Sequence, residues 1–431
     1  MPSGADASIE VEVEALGAAG DGIARLPPPA GTTLFVPGAL PGERWRVRPA
    51  GRRGDVLLAV PDALLQPSPN RVAPPCPHFV ACGGCAVQHW AEAPYAAWKR
   101  ARLAEALARA GFPDAPLGEV RRTAPGTRRR ADLALRRCPG GVTLGFHARG
   151  SGDAVVDLAT CAVLDPRLVA LFGPLRELLR GLPALRREGS AVLNLLDTGP
   201  DLLLRTDGAL DAPGRAALAR FAAGHGLPRV AWAQGKGAPE VAAQLGPAVI
   251  RFGDAEVSPP PGAFLQASPE GEAAIREAVL AGLPERLPPR AQVAELYAGL
   301  GTLSFALAAR ARVTAYEGAA EAVAALAAAA GRAGARVRAV RRDLARQPLL
   351  PAELKPFAAV VLDPPFAGAA EQLALLARAR VPRVVYVSCN PAALARDARA
   401  LHAAGYRLLA ATPVDQFLWS PHLEAVAAFA L

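Results

Sequence analysis

The stretch Val293-Ala294-Glu295-Leu296-Tyr297-Ala298-Gly299-Leu300-Gly301-Thr302 decides the fold of the C-terminal part of this chain. Its first five residues are mostly apolar and predict a buried β-strand, and a helical pattern follows at residues 303–309. Glycines between a strand and a helix let the backbone approach a nucleotide-like ligand at the electropositive N-terminus of the helix. The stretch therefore predicts a Rossmann-like βαβ unit.

The next strand, at residues 313–316, ends in Glu317, and an acid at this position accepts hydrogen bonds from ribose hydroxyls. NAD-binding folds use the same features, so the glycine loop alone is not specific. The complete three-glycine fingerprint is absent, because Ser304 stands where the third glycine would be. This departure favours S-adenosylmethionine over a dinucleotide as the ligand.

Two later strands end in residues that are able to do chemistry. Residues 358–362 lead into Asp363-Pro364-Pro365-Phe366, and residues 384–388 lead into Cys389. In a doubly wound sheet, the strand ends at Tyr297, Glu317, Asp363 and Cys389 converge on one crevice. A single cysteine at a strand end is more often a packing residue than a nucleophile.

Glu424 is an isolated acid between apolar residues near the C-terminus. Such a glutamate is usually a solvated strand residue. If its neighbours are buried, however, its pKa rises and it becomes a candidate base.

Three cysteines in one short loop, Cys76, Cys82 and Cys85, indicate a metal site around Gly83-Gly84, with Cys161 as the candidate fourth ligand. Four thiolates suit structural zinc or an iron–sulfur cluster. The spacing between Cys76 and Cys82 is longer than in zinc fingers and favours iron–sulfur, while metal-free thiols are the alternative. Cys138 is predicted to be unligated.

The N-terminal residues, up to about residue 65, alternate in short strand-like runs separated by glycine turns and predict a small β-barrel. The segment resembles a TRAM domain, an OB-like RNA-binding module. A basic edge on the barrel is either a phosphate-contacting surface or a solvated charged face; it comprises Arg44, Arg46, Arg48, Arg52 and Arg53.

Composition narrows the class of protein. A length of 431 residues predicts two or three domains, and a hydrophobic content of 52% excludes general disorder. The net charge of +9 is compatible with a nucleic-acid partner, and the run Arg128-Arg129-Arg130 is either a nucleic-acid path or a solvated face. No signal peptide or membrane-spanning run is visible, so we expect a soluble, cytoplasmic monomer.

Taken together, the motifs are similar to those of the SAM-dependent RNA uracil-5-methyltransferases, and within them to the iron–sulfur-containing bacterial ribosomal RNA branch. The resemblance rests on Cys76-x5-Cys82-x2-Cys85 with Cys161, Phe264-Leu265-Gln266, the 295–301 stretch, Asp363-Pro364-Pro365, Ser388-Cys389-Asn390-Pro391 and His422-Leu423-Glu424. It implies a multidomain α/β protein with a TRAM-like barrel at residues 1–65, a central α+β iron–sulfur domain at 66–260 and a Rossmann-like methyltransferase domain at 261–431.

The resemblance also implies roles for single residues. Cys389 would be the nucleophile that adds to uracil C6, and Glu424 the base that removes the C5 proton. The methyl donor, S-adenosylmethionine, would be held by Gln266, Tyr297, Glu317, Asp343 and Asp363. A [4Fe-4S] cluster would be bound by Cys76, Cys82, Cys85 and Cys161.

The target base must be flipped out of its stack, with Phe264 as a candidate stacking partner. The chain departs from the family pattern at two positions: Ser268 replaces the usual Asn, and Phe366 replaces the usual Arg after Asp-Pro-Pro. Three alternatives stay open: transfer RNA as the substrate, an amino-methyltransferase, and a non-catalytic, cluster-bearing RNA-binding protein.

Overall fold

The computed structural model describes residues 8–26 and 31–431, without the side chain of Arg53. The first residues of the predicted barrel domain and one member of its basic edge therefore lie outside the described part. The chain divides into two compact units. The first contains the N-terminal residues up to 98 with residues 148–152 and 419–421, and the second contains residues 99–147, 153–418 and 422–431.

A closed five-stranded barrel lies in the first unit, as the alternating sequence predicts. Its strands, in the spatial order β1-β2-β3-β5-β4, are β1 (Ile9–Leu16), β2 (Gly22–Arg25), β3 (Thr33–Val36), β4 (Arg44–Arg53) and β5 (Val56–Gln66). Val11, Val13, Leu34 and Val36 fill its interior, because alternate residues of each strand point inward.

The four described side chains of the predicted basic edge, Arg44, Arg46, Arg48 and Arg52, are exposed, and acidic side chains neutralise three of them. Arg44 and Arg46 pair with Glu10 at 3.1 and 3.3 Å, and Arg48 pairs with Asp62 at 3.5 Å.

The second unit contains two large sheets. Helix α1 (Glu92–Arg109), which begins in the first unit, and the short strand β6 (Arg121–Arg122) precede the first sheet. That sheet is mixed and has the order β12-β11-β10-β9-β7-β8. Its strands are β7 (Arg130–Cys138), β8 (Gly141–Gly145), β9 (Glu188–Leu196), β10 (Gly199–Thr206), β11 (Arg229–Gln234) and β12 (Glu240–Gln244). The helices of this region are α2 (Pro166–Val169), α3 (Phe172–Arg180) and α4 (Ala212–His225).

A two-stranded ribbon, β13 (Ile250–Phe252) with β14 (Ala255–Val257), leads into the eight-stranded sheet. This sheet has the order β17-β16-β15-β18-β19-β21-β20-β6. Its remaining strands are β15 (Gln292–Leu296), β16 (Arg312–Glu317), β17 (Val337–Arg341), β18 (Phe357–Leu362), β19 (Arg383–Ser388), β20 (Arg407–Asp415) and β21 (Glu424–Ala430). Strands β15 to β19 are parallel, and β21 is antiparallel to both β19 and β20.

Helices cover both faces of this sheet, which confirms the predicted doubly wound fold. They are α5 (Pro269–Gly282), α6 (Ser304–Ala308), α7 (Ala320–Arg332), α8 (Pro351–Leu354), α9 (Ala370–Ala379) and α10 (Pro391–Ala403). Within β19, Val384 and Tyr386 belong to one core while Val385 and Val387 belong to the other. The strand is apolar throughout because it is buried on both sides.

None of the helices in the described ranges is both long and apolar enough to span a bilayer.

Candidate active site

A cavity of about 590 Å³ lies at the carboxyl ends of the parallel strands. Six residues singled out in the sequence line it: Gln266, Tyr297, Glu317, Asp363, Cys389 and Glu424. The convergence predicted from the strand ends is thus observed.

Asp343 is not among the lining residues. Its exposed carboxylate accepts a hydrogen bond from Ala345 N at 3.1 Å and pairs with Arg346 at 3.5 Å.

The glycine loop after β15 has the backbone freedom that a tight ligand cradle needs. Gly299 and Gly301 have φ values of 54° and 91°, which disfavour side chains. A Cβ at Gly301 would lie 2.4 Å from Leu326 Cδ1, so only glycine lets helix α7 pack this closely. Tyr297 also has a positive φ of 64°. A non-glycine residue in this region stores strain, as is frequent at binding sites.

Glu317, at the end of β16, is fixed by backbone amides. One carboxylate oxygen accepts from Gly299 N at 2.9 Å and the other from Ala319 N at 2.8 Å. The acid therefore joins the glycine loop to the start of α7, and its position is set before any ligand arrives.

Ser304, which stands in place of the third glycine of a dinucleotide fingerprint, has a defined partner. Its hydroxyl donates to the carboxyl of Glu295, a buried residue on β15. Burial raises the pKa of Glu295 to about 8, although the Ser304 hydrogen bond opposes this shift. Ser304, which replaces the third glycine of the dinucleotide pattern, thus makes a buried hydrogen bond at the base of the glycine loop.

Cys389 is half-buried at the end of β19, where the strand gives way to helix α10. Asn390 caps that helix, since its side-chain oxygen accepts from Ala392 N at 3.0 Å. Burial, together with the charges of Glu424 and Asp363, raises the pKa of the Cys389 thiol to about 12. The thiol is therefore protonated when these acids are its only charged neighbours.

Glu424 lies among buried residues at the start of β21 and is itself only 3% exposed, so the condition set for a candidate base is met. Burial raises its pKa to about 8, and the nearby charge of Asp363 contributes to the shift. Its Oε1 has no hydrogen-bond partner among the described residues. That oxygen is available to take up a proton.

Gln416 connects the two acids, and the sequence reading did not identify it. Ala267 N donates to Gln416 Oε1 at 3.0 Å, which orients the amide. Gln416 Nε2 then donates to Glu424 Oε2 at 2.9 Å and to Gln266 Oε1 at 2.8 Å. Gln266 Nε2 in turn donates to Asp363 Oδ2 at 3.1 Å. Withdrawal from solvent raises the pKa of Asp363 to about 6.

Arg129, from the basic run, supports the site from below and is not a solvated residue. It is buried and pairs with Glu272, and its Nε donates to Gln266 O at 3.0 Å. Its backbone N donates to Ala267 O at 2.8 Å. The interpretation of the basic run as a solvated face is therefore wrong for Arg129. The hydrogen bonds of Arg129 instead fix the segment that carries Gln266.

Ser268, the first departure from the family pattern, is the N-cap of α5. Its Oγ accepts from Gly271 N at 3.0 Å, the role in which serine and asparagine are nearly equivalent. Packing also requires a glycine at position 271, because a Cβ on Gly271 would come within 2.6 Å of Gln416 Cβ.

None of the four cysteines of the predicted cluster is in a disulfide. Cys76 and Cys82 are buried, and Cys85 and Cys161 are partly exposed. Cys82 Sγ accepts from Gly84 N at 3.4 Å, consistent with the tight loop expected from the glycines. Within residues 8–26 and 31–431, no three or more His, Cys, Asp or Glu side chains are grouped so as to hold a metal ion.

The cavity is therefore lined by acids and contains the Cys389 thiol and the buried carboxyl of Glu424, which has an unpaired oxygen. A thiol can add to an electron-poor ring carbon, and a carboxylate beside it can remove a proton from the adjacent carbon.

Comparisons with known proteins agree with this chemistry. Residues 289–429 match the family described as tRNA (Uracil-5-)-methyltransferase, and residues 7–48 match the TRAM domain. A protein of Caulobacter vibrioides named "Uncharacterized RNA methyltransferase" is 41% identical, with 97% of this chain and 99% of that protein covered. The 23S rRNA (uracil(1939)-C(5))-methyltransferase RlmD of Chromohalobacter salexigens is 37% identical, with 96% of this chain and 88% of that protein covered.

The same fold occurs in the tRNA (uracil-54, C5)-methyltransferase of Pyrococcus abyssi, solved in complex with S-adenosyl-L-homocysteine. The TM-score is 0.71 at 22% identity, with 98% of this chain and 99% of that chain covered. With relatives of this identity matched over nearly its whole length, the chain belongs to the RNA uracil-5-methyltransferase family.

Proposed function

We propose that this enzyme transfers a methyl group from S-adenosylmethionine to C5 of a uridine in ribosomal RNA, through a covalent bond between Cys389 Sγ and C6 of the base. The observation that carries the proposal is the meeting of Cys389, Asp363 and Glu424 in one cavity next to a preformed glycine loop.

The residues present fit the proposed methyl donor. Five acids line the cavity, namely Glu295, Glu317, Glu321, Asp363 and Glu424, and no Lys, Arg or His is among the described lining residues. Such a lining favours a cation. Glu317 would accept hydrogen bonds from ribose hydroxyls, and Gln266, Tyr297 and Asp363 would hold the rest of the donor. When bound, the donor supplies an electrophilic methyl group on a positively charged sulfur.

Cys389 performs the first step on the base. Its thiol proton passes to Asp363, which leaves Glu424 ionised for the last step, and Sγ bonds to C6 while the C5=C6 electron pair moves into the ring as an enolate. C5 is then nucleophilic and accepts the methyl group. Both Cys389 and Glu424 ionise more readily beside a cation, so the raised pKa values of the free site fall when the positive sulfur is present.

Glu424 performs the last step. Its unpaired Oε1 takes the C5 proton, the C5=C6 double bond forms again, and the Sγ–C6 bond breaks. The product is 5-methyluridine, and the thiol is regenerated once Cys389 recovers a proton.

Ribosomal RNA is proposed as the substrate for two reasons. The chain is 37% identical to the RlmD relative but 22% identical to the tRNA enzyme of Pyrococcus abyssi, and it carries the four-cysteine set together with the TRAM domain. Transfer RNA is the alternative within the family. Mass-spectrometric mapping of 5-methyluridine in RNA from cells that lack the protein should show the loss of one ribosomal site. Loss of a transfer RNA site would contradict the substrate assignment, and an unchanged map would contradict the activity.

The covalent step is tested separately with RNA that contains 5-fluorouridine, because fluorine at C5 cannot leave as a proton does. We expect a denaturation-resistant complex with the wild type and none with Cys389→Ala. Cys138→Ala is the matched control, since Cys138 is an exposed thiol outside the cavity. A wild type that methylates RNA but forms no adduct would favour amino-methyl transfer, which needs no cysteine.

We further propose a [4Fe-4S] cluster on Cys76, Cys82, Cys85 and Cys161, which no step above requires. The spacing of these cysteines, three of them within one short loop and none in a disulfide, supports it. Protein purified without oxygen should contain iron and sulfide and absorb in the visible range, and Cys82→Ala should lose both. Zinc in their place would contradict the cluster without affecting the methylation assignment.

We also expect the enzyme to act as a cytoplasmic monomer, which gel filtration and cell fractionation would test.

A further inference from the structure

Two exposed aromatic side chains stand at the same cavity. The chain has 13 Phe, five Trp and five Tyr, all within the described ranges, and only Phe264 and Phe366 among them are exposed. Their exposed fractions are 65% and 57%, and both line the cavity that contains Cys389. Isolated apolar residues are common on protein surfaces. Exposed rings confined to one catalytic cavity, however, point to a flat, apolar ligand.

Phe366 is held firmly next to the nucleophile. It follows the Asp363-Pro364-Pro365 end of β18, and its carbonyl accepts from Asn390 Nδ2 at 3.0 Å. Asn390 is the neighbour of Cys389 and also caps helix α10. The backbone of Phe366 is therefore tied to the residue beside the nucleophile.

The surroundings of the Phe366 ring are aromatic. His422 contacts it nearly perpendicularly, with the ring centroids 6.0 Å apart, and makes a similar contact with Phe417 at 6.0 Å. Arg128 lies over Phe417, 6.0 Å from the ring centroid. Partial burial and the charges of Lys99, Arg102 and Arg128 lower the pKa of His422, so its imidazole is neutral at neutral pH. We call Phe366, Phe417 and His422 the aromatic rim.

In the proposed mechanism one base of the RNA enters the cavity, and Phe264 is the candidate partner for it, with Arg130 5.5 Å above its ring. The flipped base leaves its neighbour in the RNA without a stacking partner. A ring fixed at the cavity edge can replace the lost contact, because every base has a π-face. Arg102 and Arg128, which are partly exposed beside the rim, suit the phosphates on either side of that base.

We propose that Phe366 is a second base-binding site, which stacks on the nucleotide next to the target uridine. The inference rests on the proposed function, since it presupposes a uridine flipped into the cavity. It assigns the enzyme a requirement for an unpaired base beside the target, and a preference for a purine there, because a purine offers the larger stacking surface.

The first test measures binding and does not depend on methyl transfer. The probe is a short single-stranded RNA with the mapped uridine in the middle and 2-aminopurine before or after it. Stacking quenches the fluorescence of 2-aminopurine, so we expect quenching at one of the two positions with wild type and with Phe366→Trp. Phe366→Ala should lose the quenching and bind roughly tenfold more weakly. Leu350→Ala removes an equally exposed apolar side chain (56%) outside the cavity and should behave as wild type.

The second test pairs the protein change with a change in the RNA. An abasic nucleotide at the quenched position should weaken binding to wild type by the same factor as Phe366→Ala, and should cost little more in the Phe366→Ala variant. Additive losses, or unchanged quenching in Phe366→Ala, would overturn the inference. A wild type that binds and quenches but never traps 5-fluorouridine would overturn the proposed function instead.

Discussion

At the scale of single residues, the site depends on an amide that has only one possible orientation. Because Ala267 N donates to Gln416 Oε1, the Gln416 Nε2 group must donate to Glu424 and to Gln266. A donor to a carboxylate stabilises its charged form and lowers its pKa. Gln416 thus opposes the effect of burial on the base and is a positioning residue for the proton-removal step.

Replacing Gln416 by Met keeps the volume but removes all three hydrogen bonds, the one accepted from Ala267 N and the two donated by Nε2. The pKa of Glu424 should rise further, so a smaller fraction of the base is ionised at a given pH. The acidic limb of the pH–kcat profile should therefore move to higher pH, by about one unit if a charge-assisted hydrogen bond is lost.

The matched control is Gln372→Met. Gln372 is buried and makes two hydrogen bonds to the backbone of Leu349 but does not line the cavity. A lower rate at every pH, with the same limb position in both variants, would show that Gln416 is only structural.

Glu424→Gln should separate methyl transfer from product release. The amide cannot accept the C5 proton, so the methylated base should remain bonded to Cys389. With unmodified RNA, we expect a denaturation-resistant complex of protein and RNA that contains a labelled methyl group. The turnover rate should be lower by about 10²- to 10⁴-fold. Free 5-methyluridine released at the wild-type rate would show that another group removes the proton.

The site residues that strand periodicity could identify follow strands in the chain. Cys389, Asp363 and Glu317 stand at the ends of apolar runs, where local periodicity marks the sheet edge. Gln416 and Arg129 reach Gln266 from 150 and 137 residues away, and no local pattern records such contacts. Asp343, which the family resemblance implies as a ligand of the donor, does not line the cavity, and its exposed side chain pairs with Arg346.

At the scale of secondary-structure elements, the N-cap residue Ser268 stabilises the start of helix α5. Ser268→Ala removes the acceptor for Gly271 N and should destabilise the protein by about 1 kcal/mol. Ser268→Asn should keep the cap and have a melting temperature close to that of wild type. Equal losses in both variants would mean that the serine is needed for its size and not for its hydrogen bond.

The end of β20 depends on a buried ion pair. Lys99 Nζ on α1 lies 2.8 Å from Asp415 Oδ1, and both side chains are 0% exposed. Lys99→Met removes the lysine partner of a buried carboxylate and should cost about 3 kcal/mol in unfolding free energy. The double variant Lys99→Met, Asp415→Leu should recover much of this loss, while Lys355→Met, at an exposed lysine, should cost little. A double variant no more stable than Lys99→Met would contradict this account.

At the scale of the whole molecule, the strand patterns predicted the barrel and the parallel sheet but not the central sheet. Strands β15, β16, β18 and β19 are apolar runs followed by glycine or polar residues, and such boundaries are visible in a sequence. In the central region, β9 and β10 pair in a hairpin, and β10 is parallel to β11 across helix α4. Their order depends on pairing between distant strands such as β7 and β9, which composition does not encode.

The acid lining of the cavity makes a prediction about ligand charge. S-Adenosylmethionine and S-adenosylhomocysteine differ by one methyl group and by the positive charge on sulfur. With the pKa of Asp363 at about 6 and that of Glu424 at about 8, both acids are ionised above pH 8 and protonated below pH 6. The preference for the cation should therefore be greatest above pH 8 and should fall as the pH drops through this interval.

Calorimetry without RNA gives the dissociation constants of the two ligands at each pH. The ratio of the S-adenosylhomocysteine constant to the S-adenosylmethionine constant measures the preference for the cation. Asp363→Asn should reduce the ratio at high pH and flatten its dependence, because one of the titrating charges is gone. Glu371→Gln removes an exposed acid outside the cavity and should leave the curve unchanged. A ratio that does not vary with pH in the wild type would show that the charges of Asp363 and Glu424 do not affect the binding of the sulfonium. The raised pKa of Cys389 would then have to be lowered by the RNA itself.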